Sequence, residues 1–283
     1  MKSKYIEAHG ISTYYVEAGV GPNLVLMHGG GIGIDAMLTW QRNIEALAER
    51  FHVVAFDEVG FGRTAMPKTP SQFTKLSRTS HAVALLDELG LDKAILVGHS
   101  EGGFMATKIA VDHPERVAKL VIVASGATAP RWGDERDAAW IEAANEAYDW
   151  ELESSSEQAF VDNFKSSMLF HPELADEERL RENFRLSRES GNMNLYLNLP
   201  PEVADLDIYY SMSEKHIHPY LSSLSNVETL LIWANNDPTV PVERGLRLRE
   251  MIPGADMHIV DHAKHMLMID QSAAFNRLLL GVC

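Results

Sequence analysis

Apolar positions in the first half of the chain follow two alternating patterns. Asn23–Met27, His52–Phe56, Ala94–Val97 and Lys119–Ala124 are short runs dominated by Val, Ile, Leu and Phe, as expected of strands buried on both faces. Between them the apolar residues recur at helical spacing. Trp40, Ile44, Leu47 and Ala48 do so in the stretch from Asp35 to Phe51, and Val83, Leu85, Leu86 and Leu89 in Ser80 to Leu89. Such alternation predicts a mostly parallel sheet covered by helices. Ahead of it, Tyr5–Ala8 and Ile11–Glu17 flank His9-Gly10 and read as a starting hairpin.

From Thr128 to Ser225 the texture becomes charged and helix-prone, broken by Pro and Gly, with helical stretches expected in Gly133–Trp150, Ser156–Ser167, Asp176–Glu189 and Leu206–Leu221. Strands then resume at Val227–Ala234 and Met257–Val260, with helices at Val242–Met251 and Ser272–Leu280. The pattern divides the chain into a core (1–127), an inserted helical cap (128–225) and a return to the core (226–283). The sequence contains neither an internal repeat nor a low-complexity tract.

The 283 residues carry 25 Lys and Arg against 40 Asp and Glu, a formal charge of −15, with no basic run. Nucleic-acid binding needs clustered cations and is excluded on this composition. The first ten residues lack the apolar stretch of a secretory signal, and no run reaches the roughly 18 apolar residues of a membrane span. The expectation is a soluble, cytoplasmic chain with a small-molecule substrate, without a nucleic-acid or membrane partner; homo-oligomerisation stays open. The lone cysteine, Cys283, suits a reducing compartment and carries no catalytic weight.

Candidate chemistry begins at Gly98-His99-Ser100-Glu101-Gly102-Gly103. The motif follows an apolar strand and precedes an amphipathic run, which is the strand-to-helix turn of a G-x-S-x-G nucleophile elbow. Glycines are needed there because strand and helix approach too closely for a Cβ. A bystander serine in a glycine-rich turn is the plainer alternative, and the flanking elements argue against it.

A serine hydroxyl needs a base, and the base a partner that fixes its tautomer. Asp237 lies on the turn after Val227–Ala234, and His262 and His265 lie on the loop after Met257–Val260. In open α/β sheets, strand C-terminal ends are where such side chains converge. Asp256 and Asp261 read as solvated strand-end residues, and Asp57-Glu58 as part of a structural turn into Gly60-Phe61-Gly62. An oxyanion needs preorganised donors, and His28-Gly29-Gly30-Gly31 after Asn23–Met27 offers unobstructed N–H groups. The N–H groups of Gly30 and Glu101 are the candidates. Neither phosphate-loop nor metal-ligand spacing occurs, and no cofactor is implied.

Taken together, the elbow, the His28–Gly31 stretch, Asp57–Gly62 and Asp237…His265 resemble the α/β-hydrolase superfamily over 1–127 and 226–283. The resemblance implies a mostly parallel eight-stranded sheet flanked by helices with an inserted cap, and a triad of Ser100, Asp237 and His265, His265 being preferred over His262 by its place before the terminal helix. Within the superfamily the chain looks most like the meta-cleavage-product hydrolases, which cut carbon–carbon bonds in 2-hydroxy-6-oxo-dienoates. The stretch to Gly33, Trp40, Ile232-Trp233, Glu243 onward and Phe275-Asn276-Arg277-Leu278 carry this closer likeness.

Three positions that would handle the dienoate end depart from that group. His99 stands where the family has Asn, Met266 where it has Trp, and Asn183 aligns with a cap arginine; Arg181, Arg185 and Arg188 lie within a helical turn or so of Asn183. With Gly31, His99 and Met266 are the candidate pocket residues. The exchanges predict a less polar pocket, which puts hydrolysis of a carboxylic ester or lactone first, a dienoate carbon–carbon cleavage second, and a non-turnover receptor on the same fold third. Asp at the nucleophile position would mark a haloalkane dehalogenase or epoxide hydrolase, and Ser100 disfavours both. The aromatics Trp132, Trp140, Phe170 and Tyr196 are expected to pack helices rather than to touch a ligand.

Overall fold

The computed structural model describes residues 1–199 and 206–282. Eight strands form one sheet: β1 (Lys2–Ala8), β2 (Ile11–Ala18), β3 (Asn23–Met27), β4 (His52–Phe56), β5 (Ala94–His99), β6 (Val117–Val123), β7 (Thr229–Ala234) and β8 (Asp256–Val260), in the order β1-β2-β4-β3-β5-β6-β7-β8. The β1–β2 and β2–β4 pairings are antiparallel, and every other pairing is parallel. His9, at φ 51°, and Gly10, at φ 72°, make the two-residue turn of the first hairpin, where positive φ suits the twist of the flanking strands.

Side chains alternate between two apolar layers. Leu24 and Leu26 of β3 join one cluster with α1 (Ala36–Leu47), whereas Val25 and Met27 join the other with α2 (Lys75–Glu88) and α3 (Glu101–Asp112). This period of two on a sheet covered on both faces explains the uninterrupted apolar runs. β8 is an edge strand, and there Ile259 is exposed.

Helices occupy the described residues between β6 and β7: α4 (Arg136–Ala147), α5 (Trp150–Ser155), α6 (Glu157–Asn163), α7 (Glu177–Ser190), α8 (Asn192–Leu197) and α9 (Leu206–His216). Asp149, Ser156 and Asp176 cap α5, α6 and α7 by accepting from backbone N–H groups, and these caps split stretches whose composition reads as continuous. Phe160, Val161, Leu180 and Phe184 belong to the same apolar cluster as Leu24 and Leu26, whereas Ile217, Leu221 and Leu224 join the cluster of Val25 and Met27. The chain ends with α10 (Val242–Met251), the short α11 (Leu267–Asp270) and α12 (Ser272–Val282). Cys283 lies outside the described residues. Among them, no helix is long and apolar enough to cross a membrane.

One boundary difference matters for the site. α2 begins at Lys75, capped by Thr74, which accepts from Ser77 N at 3.2 Å, and not near Ser80 as the periodicity predicts. Its first turn buries Lys75 and Arg78, and charged residues on a buried face are invisible to an apolar pattern.

Candidate active site

Ser100 sits between β5 and α3 with φ 52° and ψ −119°, a strained conformation for a residue with a Cβ. Its surroundings hold it there. The Ser100 N–H donates to Val123 O at 2.9 Å, and its carbonyl accepts from Gly103 N at 3.0 Å and Ser125 Oγ at 2.6 Å. The glycines act by absence of bulk: a Cβ on Gly98 would lie 2.2 Å from Gly102 O, and one on Gly102 would lie 2.5 Å from the carbonyl oxygens of Met27 and His28.

The acid and the imidazole meet across the ends of β7 and β8. His265 Nδ1 lies 2.7 Å from Asp237 Oδ2, and Asp237 Oδ1 accepts from Thr239 N, Thr239 Oγ1 and Val240 N at 2.8, 2.8 and 3.0 Å. Both side chains are almost fully enclosed. A carboxylate with both oxygens engaged keeps the imidazole proton on Nδ1 and leaves Nε2 as the acceptor. His265 Nε2 is buried with no hydrogen-bond partner, so Ser100 Oγ is not bonded to it in this conformation, as is common before substrate binds. His262 is exposed and packs on Phe170. Asp261 takes a bond from Asn235 at the surface, and Asp256 is exposed.

Donors for an oxyanion come from two places. The Glu101 N–H belongs to the first turn of α3, whose leading amides have no intrahelical acceptor. Gly30 lines the same cavity as Ser100 and Glu101. Its loop is fixed by His28, whose Nδ1 bonds Gly29 O at 2.7 Å while Nε2 accepts from Glu58 N at 3.0 Å. Burial pushes the His28 pKa down to about 4, keeping this clamp neutral. The Gly31 N–H is already committed to Tyr196 Oη at 2.7 Å.

The cavity above Ser100 encloses about 560 Å³ and has both aromatic and charged walls. Arg78 bridges two carboxylates, Glu58 Oε2 at 2.6 Å and Glu101 Oε2 at 2.5 Å. Burial pushes Glu58 up to about 8, whereas at Glu101 burial is outweighed by Arg78 and Lys75 together with the hydrogen bonds to Arg78 and Tyr209, which hold it below its ordinary value. A Cβ on Gly30 would meet Glu101 Oε2 at 2.8 Å, so this pair abuts the oxyanion loop. Asp57 and Glu58 follow β4 as part of structure, as expected: Asp57 accepts from Ala36 N and Arg63 N.

The three pocket candidates lie elsewhere. Gly31, His99 and Met266 line a separate recess of only about 20 Å³ beside His265. His99 Nε2 donates to His265 O at 3.0 Å, and burial, reinforced by the charge of His265, holds its pKa well below the ordinary histidine value. It is a neutral brace for the loop that carries His265. Asn183 donates to Gly33 O at 2.8 Å. Arg181 and Arg185 pair with Glu157, and Arg188 lies over Phe184; none of the three lines the cavity. Away from the recess that Gly31, His99 and Met266 line, Lys75, Arg78 and Glu101 line the 560 Å³ space. Trp140 and Tyr196, expected only to pack helices, also form its wall, with Trp150, Tyr148 and Tyr209. Aromatic content in the cap was the available signal, but helical spacing cannot tell a cavity wall from a helix seam.

The family model described as alpha/beta hydrolase fold matches residues 22–272. The chain is 26% identical over 280 residues to 2-hydroxy-6-oxo-2,4-heptadienoate hydrolase of Pseudomonas putida, covering 97% of this chain and 94% of that protein. It is 28% identical over 287 residues to 2-hydroxy-6-oxononadienedioate/2-hydroxy-6-oxononatrienedioate hydrolase of Burkholderia vietnamiensis, covering 98% and 94%. Among solved structures, a meta-cleavage product hydrolase from Pseudomonas fluorescens superposes with a TM-score of 0.77 at 28% identity, covering 98% of this chain and 96% of that one. With the sheet order, the elbow and the family match in agreement, the chain belongs to the α/β-hydrolase fold family.

Proposed function

We propose that the chain is a serine hydrolase that cleaves a carbon–carbon bond next to the activated ketone of a small 2-hydroxy-6-oxo-dienoate. The observation that carries the reading is the fixed Asp237–His265 pair and strained Ser100 elbow beside a cavity of about 560 Å³, in a chain whose full-length relatives bear the names of dienoate hydrolases. Ser100 Oγ attacks the ketone carbon as His265 Nε2 takes its proton, and the oxyanion is held by the N–H groups of Gly30 and Glu101. On collapse the C–C bond breaks, its electron pair leaves as a dienol carbanion, and His265 returns the proton to that carbon. Water, activated by the same histidine, then releases the acid from the acyl-enzyme. The 128–225 segment forms the roof and supplies selectivity.

Ester or lactone hydrolysis is the second reading, and a specific observation favours it. His99, Met266 and Asn183 are turned to internal contacts, and the recess beside His99 and Met266 is nearly filled. Side-by-side kinetics on a 2-hydroxy-6-oxo-dienoate, short acyl esters and lactones decide between the two. The carbon–carbon reading expects the dienoate to have the highest kcat/KM; a better ester or lactone transfers the assignment. Labelling by a fluorophosphonate with less than one turnover on every substrate would make the chain a receptor.

A further inference from the structure

We propose that Lys75 anchors a carboxylate on the substrate, in the wall of the cavity that Ser100 also lines. The inference rests on the serine-hydrolase reading for its chemistry and on independent geometry for its site. Lys75 is the first residue of α2, next to the cap Thr74, and both line the cavity. A helix N-terminus favours anions and disfavours cations, so the position is unfavourable for a lysine unless something negative arrives.

Lys75 is only 6% exposed. Its Nζ donates to the Tyr209 carbonyl at 3.0 Å and stands 3.1 Å from the centroid of the Tyr209 ring, with the Phe104 ring at 5.4 Å. Among the described residues no carboxylate comes within ion-pair distance of it. Glu101, the acid of the same cavity, is spent on Arg78 and on the Tyr209 hydroxyl. An ammonium carries three donors, and the Tyr209 carbonyl takes one.

The surrounding charges leave Lys75 as the available cation. Arg78, three residues along α2, is already shared between Glu58 and Glu101. Burial pushes the Lys75 amine down to about 7, with Glu101 opposing that fall and Arg78 adding to it. Glu101 acts on Lys75 only at a distance, and a substrate carboxylate would supply the direct ion-pair partner and also meet the positive end of α2.

The test compares p-nitrophenyl monoesters of diacids, from succinate to suberate, with uncharged acyl esters of matching length. In the wild type the charged ester of best-fitting length should have the higher kcat/KM, and in Lys75→Met the charged-to-neutral ratio should fall about tenfold to a hundredfold, the range of one charge-assisted contact. A ratio that does not move in Lys75→Met overturns the anchor. Calorimetric binding of the matching free diacid and of its diamide to the wild type needs neither turnover nor a variant. Selective diacid binding supports the anchor, and equal binding overturns it. Selective binding without turnover of any ester or of a 2-hydroxy-6-oxo-dienoate sinks the serine-hydrolase reading alone, whereas turnover without charge preference sinks only the anchor.

Discussion

Replacing Asp237 by Asn tests the triad without changing its shape. Oδ1 receives three donors, Thr239 N, Thr239 Oγ1 and Val240 N, while Oδ2 faces His265 Nδ1 at 2.7 Å. An asparagine must place its oxygen at the first site, because an NH2 there would face three donors and forfeit about 1 kcal/mol per bond. Its NH2 then points at His265 Nδ1, which must become an acceptor. The proton moves to Nε2, and Nε2 can no longer take one from Ser100. The expected loss in kcat/KM is about 10⁴-fold, or about 5 kcal/mol. Because the change is isosteric, Tm should move by less than about 4 °C, equivalent to roughly 1 kcal/mol in a chain of this size. Initial rates on the best substrate, with thermal melts of both proteins, provide the measurement. A loss below tenfold with the melt intact would refute the assignment of Asp237 as the orienting acid.

Other outcomes follow from the same geometry. His265→Ala should lose about a thousandfold or more in kcat, whereas exposed His262→Ala should stay within about twofold; steady-state kinetics on both reveal any reversal. Arg78→Met strips the partner from Glu58 and Glu101, so urea unfolding should show a loss of about 3–5 kcal/mol, partly restored by adding Glu101→Gln. The pH dependence has a definite sign. Glu58 is raised by burial to about 8, so its contribution is complete below its ordinary value of 4.5 and is lost as pH rises through about 8. Without Arg78 the Glu58 carboxyl stays protonated to higher pH, so the Arg78→Met deficit should widen as pH rises through about 8, and a deficit that narrows with rising pH would contradict the reasoning. Gly102→Ala drives a Cβ to 2.5 Å from two backbone oxygens, with an expected cost of at least about 2 kcal/mol by chemical denaturation; a neutral substitution would show that β3 and α3 are not in tight contact.

The sequence alone determined the sheet, the elbow and the chain order of the proposed triad. Buried parallel strands write unbroken apolar runs, and a nucleophile turn demands glycines at fixed offsets, so both are local signals. Asp237 and His265 were legible because strand ends in such a sheet converge. Only the tertiary structure decided what surrounds them. Lys75 and Arg78 break the helical pattern on the buried face of α2, and their partners Tyr209, Glu58 and Glu101 come from other elements, so no window of sequence contains the cluster. His99 and Met266 adjoin the triad in sequence, yet they face a recess of about 20 Å³, and the open cavity lies on the other side of Tyr148 and Gly30, which border both. Which side of a catalytic serine is hollow depends on how helices from distant parts of the chain pack above it, and packing of that kind leaves no periodic trace in the sequence.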